Sequence, residues 1–289
     1  MGNPVVFASA ILEQLGITEV PNVRDIAAKL GVGIEEANVE GFDGALVRVK
    51  GTSMGTIALR ESIRETGRKN FTIAHEIGHL VLPGHDESAV CGKEQVETWD
   101  PRLPVTELEA NQFAGELMMP AAIVERLVGR PEPSLEVAER IASAFSASLT
   151  ASVYRFMELT SYRSALVWSA NGQVRWFKGS QEFAQVVRTR AQVDKRTFAY
   201  DCFAGETPPR SWEWVPAGAW LRGDCGDAKV LERSVAMPFY DGVLTLLWIR
   251  EPIEPHRDED DELLAPLDPN TSGFAPKRVG QMNLQSFRR

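Results

Sequence analysis

The chain has 289 residues, of which 44% are hydrophobic and 25% charged, an ordinary globular composition with length for about two domains of roughly 150 residues each. That composition excludes a mainly disordered chain, and 31 basic against 40 acidic residues, a net charge of −9, excludes binding dominated by phosphate neutralisation. No window reaches the ~18 consecutive apolar residues that a membrane span needs, and Met1-Gly2-Asn3-Pro4 lacks the charged start of a signal peptide, so a cytoplasmic protein with no membrane contact is expected.

In chain order, Val23 to Gly31 reads as a short amphipathic helix closed by its glycine. Ala45–Val49 and Gly55–Leu59 are β-rich runs flanking Lys50–Met54, a hairpin pattern. With Asn70 as N-cap, Phe71 to Leu82 predicts about three turns of helix, stopped by Pro83-Gly84. A polar, irregular stretch from Asp86 to Arg102 follows. Pro104 to Met119 predicts a second helix ended by Pro120, and the capping-box pattern Thr106-Glu107-Leu108-Glu109 offers Thr106 as an alternative start.

Leu135–Phe145 and Leu149–Leu159, joined by Ser146-Ala147-Ser148, outline a helix-turn-helix. Beyond Tyr162 the pattern turns to strands. Ala165–Trp168 and Gln173–Phe177 flank Asn171-Gly172, and Val235–Pro238 and Val243–Ile249 flank Tyr240-Asp241-Gly242, two hairpin signals. Six of the seven tryptophans lie in this half. They either line a ligand pocket or build a small core, and core is the commoner use. Arg257 to Glu262 reads as a solvated acidic run, and the residues after Pro252 as a poorly ordered tail.

The chemistry sits in His75-Glu76-Ile77-Gly78-His79, an HExxH pattern inside a predicted helix. Chance places this pattern in about one chain in a hundred of such composition. Positions i and i+4 share a helix face, so both imidazoles can converge on one metal ion while Glu76, about 100° round, reaches the open coordination position. Ile73, Ile77, Leu80 and Val81 would anchor the opposite face.

A catalytic zinc site takes three protein ligands and keeps one position open. The best third ligand is Glu107 in Glu107-Leu108-Glu109-Ala110-Asn111, with Asn111 one turn on as a hydrogen-bonding support. Glu109 competes, although it points roughly 200° away on the helix. His85 is a further rival, because histidines 75, 79 and 85 have the metzincin spacing; the glycine of that signature is replaced by Leu82.

Phe71-Thr72-Ile73-Ala74-His75-Glu76-Ile77-Gly78-His79-Leu80, then Glu107 to Ala114 and Leu117-Met118-Met119-Pro120, resemble the ImmA/IrrE-type zinc metallopeptidase family. The similarity covers roughly residues 5 to 160. It implies Zn2+ held by His75, His79 and Glu107, with Glu76 as catalytic base. It also implies a protein substrate, a helix-turn-helix repressor of the XRE type, cut to relieve repression under stress.

The expected fold class is therefore α+β: a mainly helical zincin-like peptidase core with a small sheet (1–125), a helix-turn-helix-like segment (126–162), and a C-terminal α/β domain (163–252). An acidic linker and tail (253–289) would follow. By likeness the C-terminal domain would be a sensory module comparable to GAF domains, receiving a small-molecule or nucleic-acid activating signal. Two rivals stand beside this reading: a non-enzymatic DNA- or protein-binding regulator with a structural zinc, and a zinc hydrolase of a non-peptide amide or ester.

Two smaller expectations complete the sequence reading. Gly55–Leu59 is a candidate edge strand for β-pairing with an extended substrate, or plain sheet core. Cys91 is a candidate inhibitory metal ligand, whose thiolate would fill the open position until the loop moves or the thiol is oxidised; an idle loop thiol is the bland alternative. Cys91, Cys202 and Cys225 are too few and too scattered for a disulfide framework, so free thiols are expected.

Overall fold

The structure, a computed structural model, describes residues 3–38, 42–48, 55–85, 90–92, 103–251 and 253, with 90–92 as backbone only. These residues fall in one compact unit, Met1–Glu254, and build a mixed α+β fold with two sheets. No described helix is long and apolar enough to cross a membrane.

Helices α1 (Pro4–Gln14) and α2 (Val23–Lys29) start at Asn3 and Asn22, whose side-chain oxygens accept from the first backbone N–H groups. Such caps satisfy donors the helix itself leaves unpaired. Strands β1 (Gly33–Ala37), β2 (Phe42–Arg48), β3 (Gly55–Arg60) and β4 (Val90–Gly92) form a sheet in the order β1-β3-β2-β4. The β2/β3 pair is antiparallel, Gly44 opposite Leu59 through Arg48 opposite Gly55, as the hairpin pattern predicts; its loop lies outside the described residues. The edge-strand expectation for Gly55–Leu59 is overturned. β1 pairs in parallel along the other side of β3, so β3 is interior and its backbone groups are taken.

Helix α3 (Thr66–Val81) begins four residues before the expected cap. Asn70 is inside it and donates to the Ser146 carbonyl at 3.2 Å, tying the helix to a distant turn that local capping rules cannot see. All residues from Phe71 to His79 are buried. Helix α4 (Val105–Met118) follows Pro104, and its start makes no side-chain capping bond. The Thr106 capping box therefore does not form. Glu109 is engaged elsewhere, as described below.

Helices α5 (Ala121–Val128), α6 (Leu135–Phe145) and α7 (Leu149–Leu159) complete the helical part. The last two match the predicted bounds, with Ser134 and Ser148 as N-caps. Of the eleven residues of α7 only Glu158 is exposed. Its Arg155 is buried and pairs with the buried Glu116 of α4, donating also to the Met119 carbonyl at 2.9 Å. Glu116 further accepts from Ser9 of α1 and from the first N–H of α5. One ion pair thus joins four helices. Arg155→Ala leaves the Glu116 charge buried without its cation, an expected loss of about 3–5 kcal/mol. Urea unfolding checks it, and a loss below about 1 kcal/mol would show that the pair bears little weight.

The second sheet runs β6-β5-β9-β8-β7, with β5 (Ser164–Ala170), β6 (Gln173–Gly179), β7 (Glu213–Pro216), β8 (Lys229–Met237) and β9 (Gly242–Trp248), all neighbours antiparallel. Both hairpins lie where the turn signals put them. Every residue of β9 is buried, because both faces of the sheet are covered. Leu166, Trp176, Leu244 and Leu246 join the core of the helical part. Ala165, Val167, Val243 and Leu247 face a second core that includes α8 (Phe198–Phe203). The tryptophans mostly serve these cores: Trp220 is 1% exposed, Trp176 and Trp248 6%, and Trp214 stands out at 48%.

Glu232 of β8 lies buried under α8. It accepts from Ser234 Oγ at 2.7 Å and from Trp220 Nε1 and the Ala199 N–H, both at 2.8 Å. Burial pushes its carboxyl up, while these donors pull it down. The network locks α8 to β8. Cys202 and Cys225 are free, and burial pushes the Cys202 thiol up to about 11, far from a reactive thiolate at neutral pH.

Candidate metal centre

The two predicted metal-site helices, α3 and α4, pack directly on each other. A Cβ added at Gly78 would stand 3.1 Å from the Phe113 ring and 3.3 Å from the Ala110 Cα, so any larger residue would push these neighbours by a few tenths of an ångström and glycine suits the close crossing. The crossing brings one ligand atom each of His75, His79 and Glu107 within 4.8 Å of one another, all three residues buried. His75 Nε2 lies 3.0 Å from His79 Nε2 and 3.2 Å from Glu107 Oε2, and His79 Nε2 lies 3.5 Å from Glu107 Oε1.

This donor set fits a divalent metal. His75 Nδ1 faces Asn111 Oδ1 at 2.9 Å, and an acceptor there fixes the proton on Nδ1 and leaves Nε2 a lone pair. Glu107 Oε2 is buried without a hydrogen-bond donor. Buried polar groups so crowded need either protons between them or a cation in their midst.

The rivals for third ligand stand elsewhere. His85 Nδ1 meets His79 Nδ1 at 2.9 Å, on the ring edge away from the Nε2 that faces Glu107. Glu109 Oε2 lies 3.1 Å from His85 Nε2. Among the described residues only His75, His79 and Glu107 group as a metal cluster.

Glu76 is fully buried and lies against β2. A Cβ at Gly44 would fall 2.4 Å from Thr72 Cγ2 and 3.0 Å from Glu76 Oε1. Sequence reading missed this contact; its one signal is a glycine inside a strand pattern, a mark of close backbone approach. Beside it, buried Asp43 takes ion pairs from Arg60 of β3 and Arg68 of α3, clamping β2 where it passes Glu76. Gly44→Ala must displace Thr72 or the Glu76 carboxylate, an expected cost of about 1–3 kcal/mol in stability. Urea unfolding checks this; wild-type stability would show that the Gly44 contact is idle.

Cys91 pairs through its backbone with Gly44 across β2 and β4. Its side chain, and with it the thiolate expectation, lies outside the described residues.

Comparison with known proteins agrees with this geometry. Residues 27–157 match the family model described as Peptidase M78, IrrE N-terminal-like domain, a span that runs from α2 into α7 and contains both metal-site helices. The radiation response metalloprotease IrrE of Deinococcus deserti is 28% identical over 153 residues, covering 48% of this chain and 53% of that protein. The chain spans about half the length of this relative. Over residues 27–157, therefore, the chain is similar to the IrrE N-terminal-like domain of the Peptidase M78 family.

Proposed function

We propose that the chain is a zinc-dependent endopeptidase of the HExxH type that cuts a specific protein, a helix-turn-helix repressor of the XRE type, in response to a signal. The observation that carries the reading is the meeting of His75, His79 and Glu107 beside the buried carboxylate of Glu76. Two imidazoles and one carboxylate are a ligand set that catalytic zinc uses with one position left open. Zinc bound there would supply Lewis acidity toward water and the scissile carbonyl.

The remaining work falls to the chain. Glu76 takes the proton of the attacking water and returns it to the leaving amide nitrogen, two steps for one carboxylate. Asn111 holds the His75 ring, and Gly44 leaves the Glu76 carboxylate its place against β2. The regulatory role belongs to residues 163–252, which lie beyond the matched span; a small molecule or nucleic acid received there would be the signal.

Burial of α7 weighs against the DNA-reading rival, since a recognition helix must offer side chains to the groove and α7 exposes only Glu158. The test incubates zinc-loaded full chain with a purified XRE-type repressor, an unrelated folded protein, and a small amide or ester. One or a few cuts confined to the repressor are expected. Turnover of the small substrates alone would overturn the endopeptidase reading. In the same assay Cys91→Ser is expected to raise basal cleavage, and unchanged cleavage at unchanged zinc content removes the inhibitory role.

A further inference from the structure

We infer that Glu109 and His85 are positioning residues that fix the tautomer of His79 and so make it a metal ligand. The inference deepens the metallopeptidase reading and rests on it. The chain of contacts runs from Glu109 Oε2 to His85 Nε2 at 3.1 Å, and from His85 Nδ1 to His79 Nδ1 at 2.9 Å. From there it reaches His79 Nε2, which faces Glu107 Oε1 at 3.5 Å.

The direction of each hydrogen bond follows from the outermost group inward. An ionised carboxylate only accepts, so His85 Nε2 carries the proton that Glu109 receives. An imidazole that carries its one proton on Nε2 has a lone pair on Nδ1 and accepts there. Exactly one proton fits between two ring nitrogens at this distance, so it sits on His79 Nδ1. His79 Nε2 is left with its lone pair turned toward Glu107 and His75, the form a metal requires. The opposite tautomer would point an N–H at the metal position.

The rest of the structure holds this chain in place. His85 is 4% exposed, so water does not compete for its nitrogens. Arg48 of β2 donates to the backbone carbonyls of both His79 and His85, pinning the segment after α3 back onto the helix end. His75 gets its tautomer from Asn111 on the same helix as Glu109. One helix, α4, thus supplies a ligand through Glu107 and sets both histidine ligands through Asn111 and Glu109.

The test uses the full chain. Zinc affinity is measured by chelator competition in wild type, His85→Phe, Glu109→Leu and Glu109→Gln, and the histidine tautomers are read by nitrogen-15 NMR of the zinc-loaded wild type. The first two variants are expected to bind zinc about 10- to 100-fold more weakly. Glu109→Gln, which keeps an oxygen acceptor, is expected to recover most of that loss. In wild type, His79 should carry its proton on Nδ1 and His85 on Nε2. Wild-type zinc affinity in all three variants, or a His85 protonated on Nδ1 alone, overturns the inference while leaving the metallopeptidase reading intact. A wild-type chain that binds no zinc overturns both. The tautomer measurement needs no variant to fold.

Discussion

If the chain acts as proposed, Glu76→Gln is expected to lower the rate of substrate cleavage by about two to four orders of magnitude, the usual worth of a positioned general base, with metal still bound at the wild-type level. The substitution keeps the shape of the side chain against Gly44 and Thr72 and removes only its capacity to take a proton. Because Glu76 lies outside the group formed by His75, His79 and Glu107, metal content should not follow activity. A fall in zinc parallel to the fall in rate would make Glu76 a ligand and would leave the proton transfer without an agent. Cleavage at the wild-type rate would show that the proteolysis comes from another enzyme.

Glu107→Ala is expected to abolish both zinc binding and cleavage. Loss of a supporting hydrogen bond around a metal typically costs about 10- to 100-fold in affinity, and loss of a direct ligand should exceed that. Two imidazoles 3.0 Å apart at their Nε2 atoms would remain in a buried site with no anionic ligand to offset the metal charge. The contrast with Glu109 is the informative part. Both carboxylates lie on α4 two residues apart, one facing His75 and His79, the other facing His85. Zinc affinity should therefore fall further for Glu107→Ala than for Glu109→Leu. The reverse order would exchange their roles.

The parts of this protein governed by local rules were legible in its sequence. The bounds of α6 and α7 follow from serine caps and apolar periodicity, and both hairpins of the second sheet follow their turn residues. The HExxH spacing predicts that His75 and His79 share a helix face, and they do. What sequence reading missed depends on contacts between distant segments. The early start of α3 is tied to the turn after α6 through Asn70. The interior position of β3 needs its parallel pairing with β1, which no alternation within Gly55–Leu59 reveals.

The metal site divides in the same way. Glu107 was preferred to Glu109 on its spacing to Asn111 together with helical phase, and it is Glu107 that groups with His75 and His79. The work of His85 and Glu109 was hidden, because spacing can suggest which residues reach a metal but not which nitrogen of an imidazole faces it. Gly44 was hidden for a similar reason: its value lies in what it leaves free for Glu76 and Thr72, residues on another element.

The most direct test is a crystal of the zinc-loaded chain measured at the zinc absorption edge. One strong anomalous peak is expected in bonding contact with His75 Nε2, His79 Nε2 and a Glu107 carboxylate oxygen. No peak between those groups, or a peak held by His85 and Glu109 instead, would contradict the account.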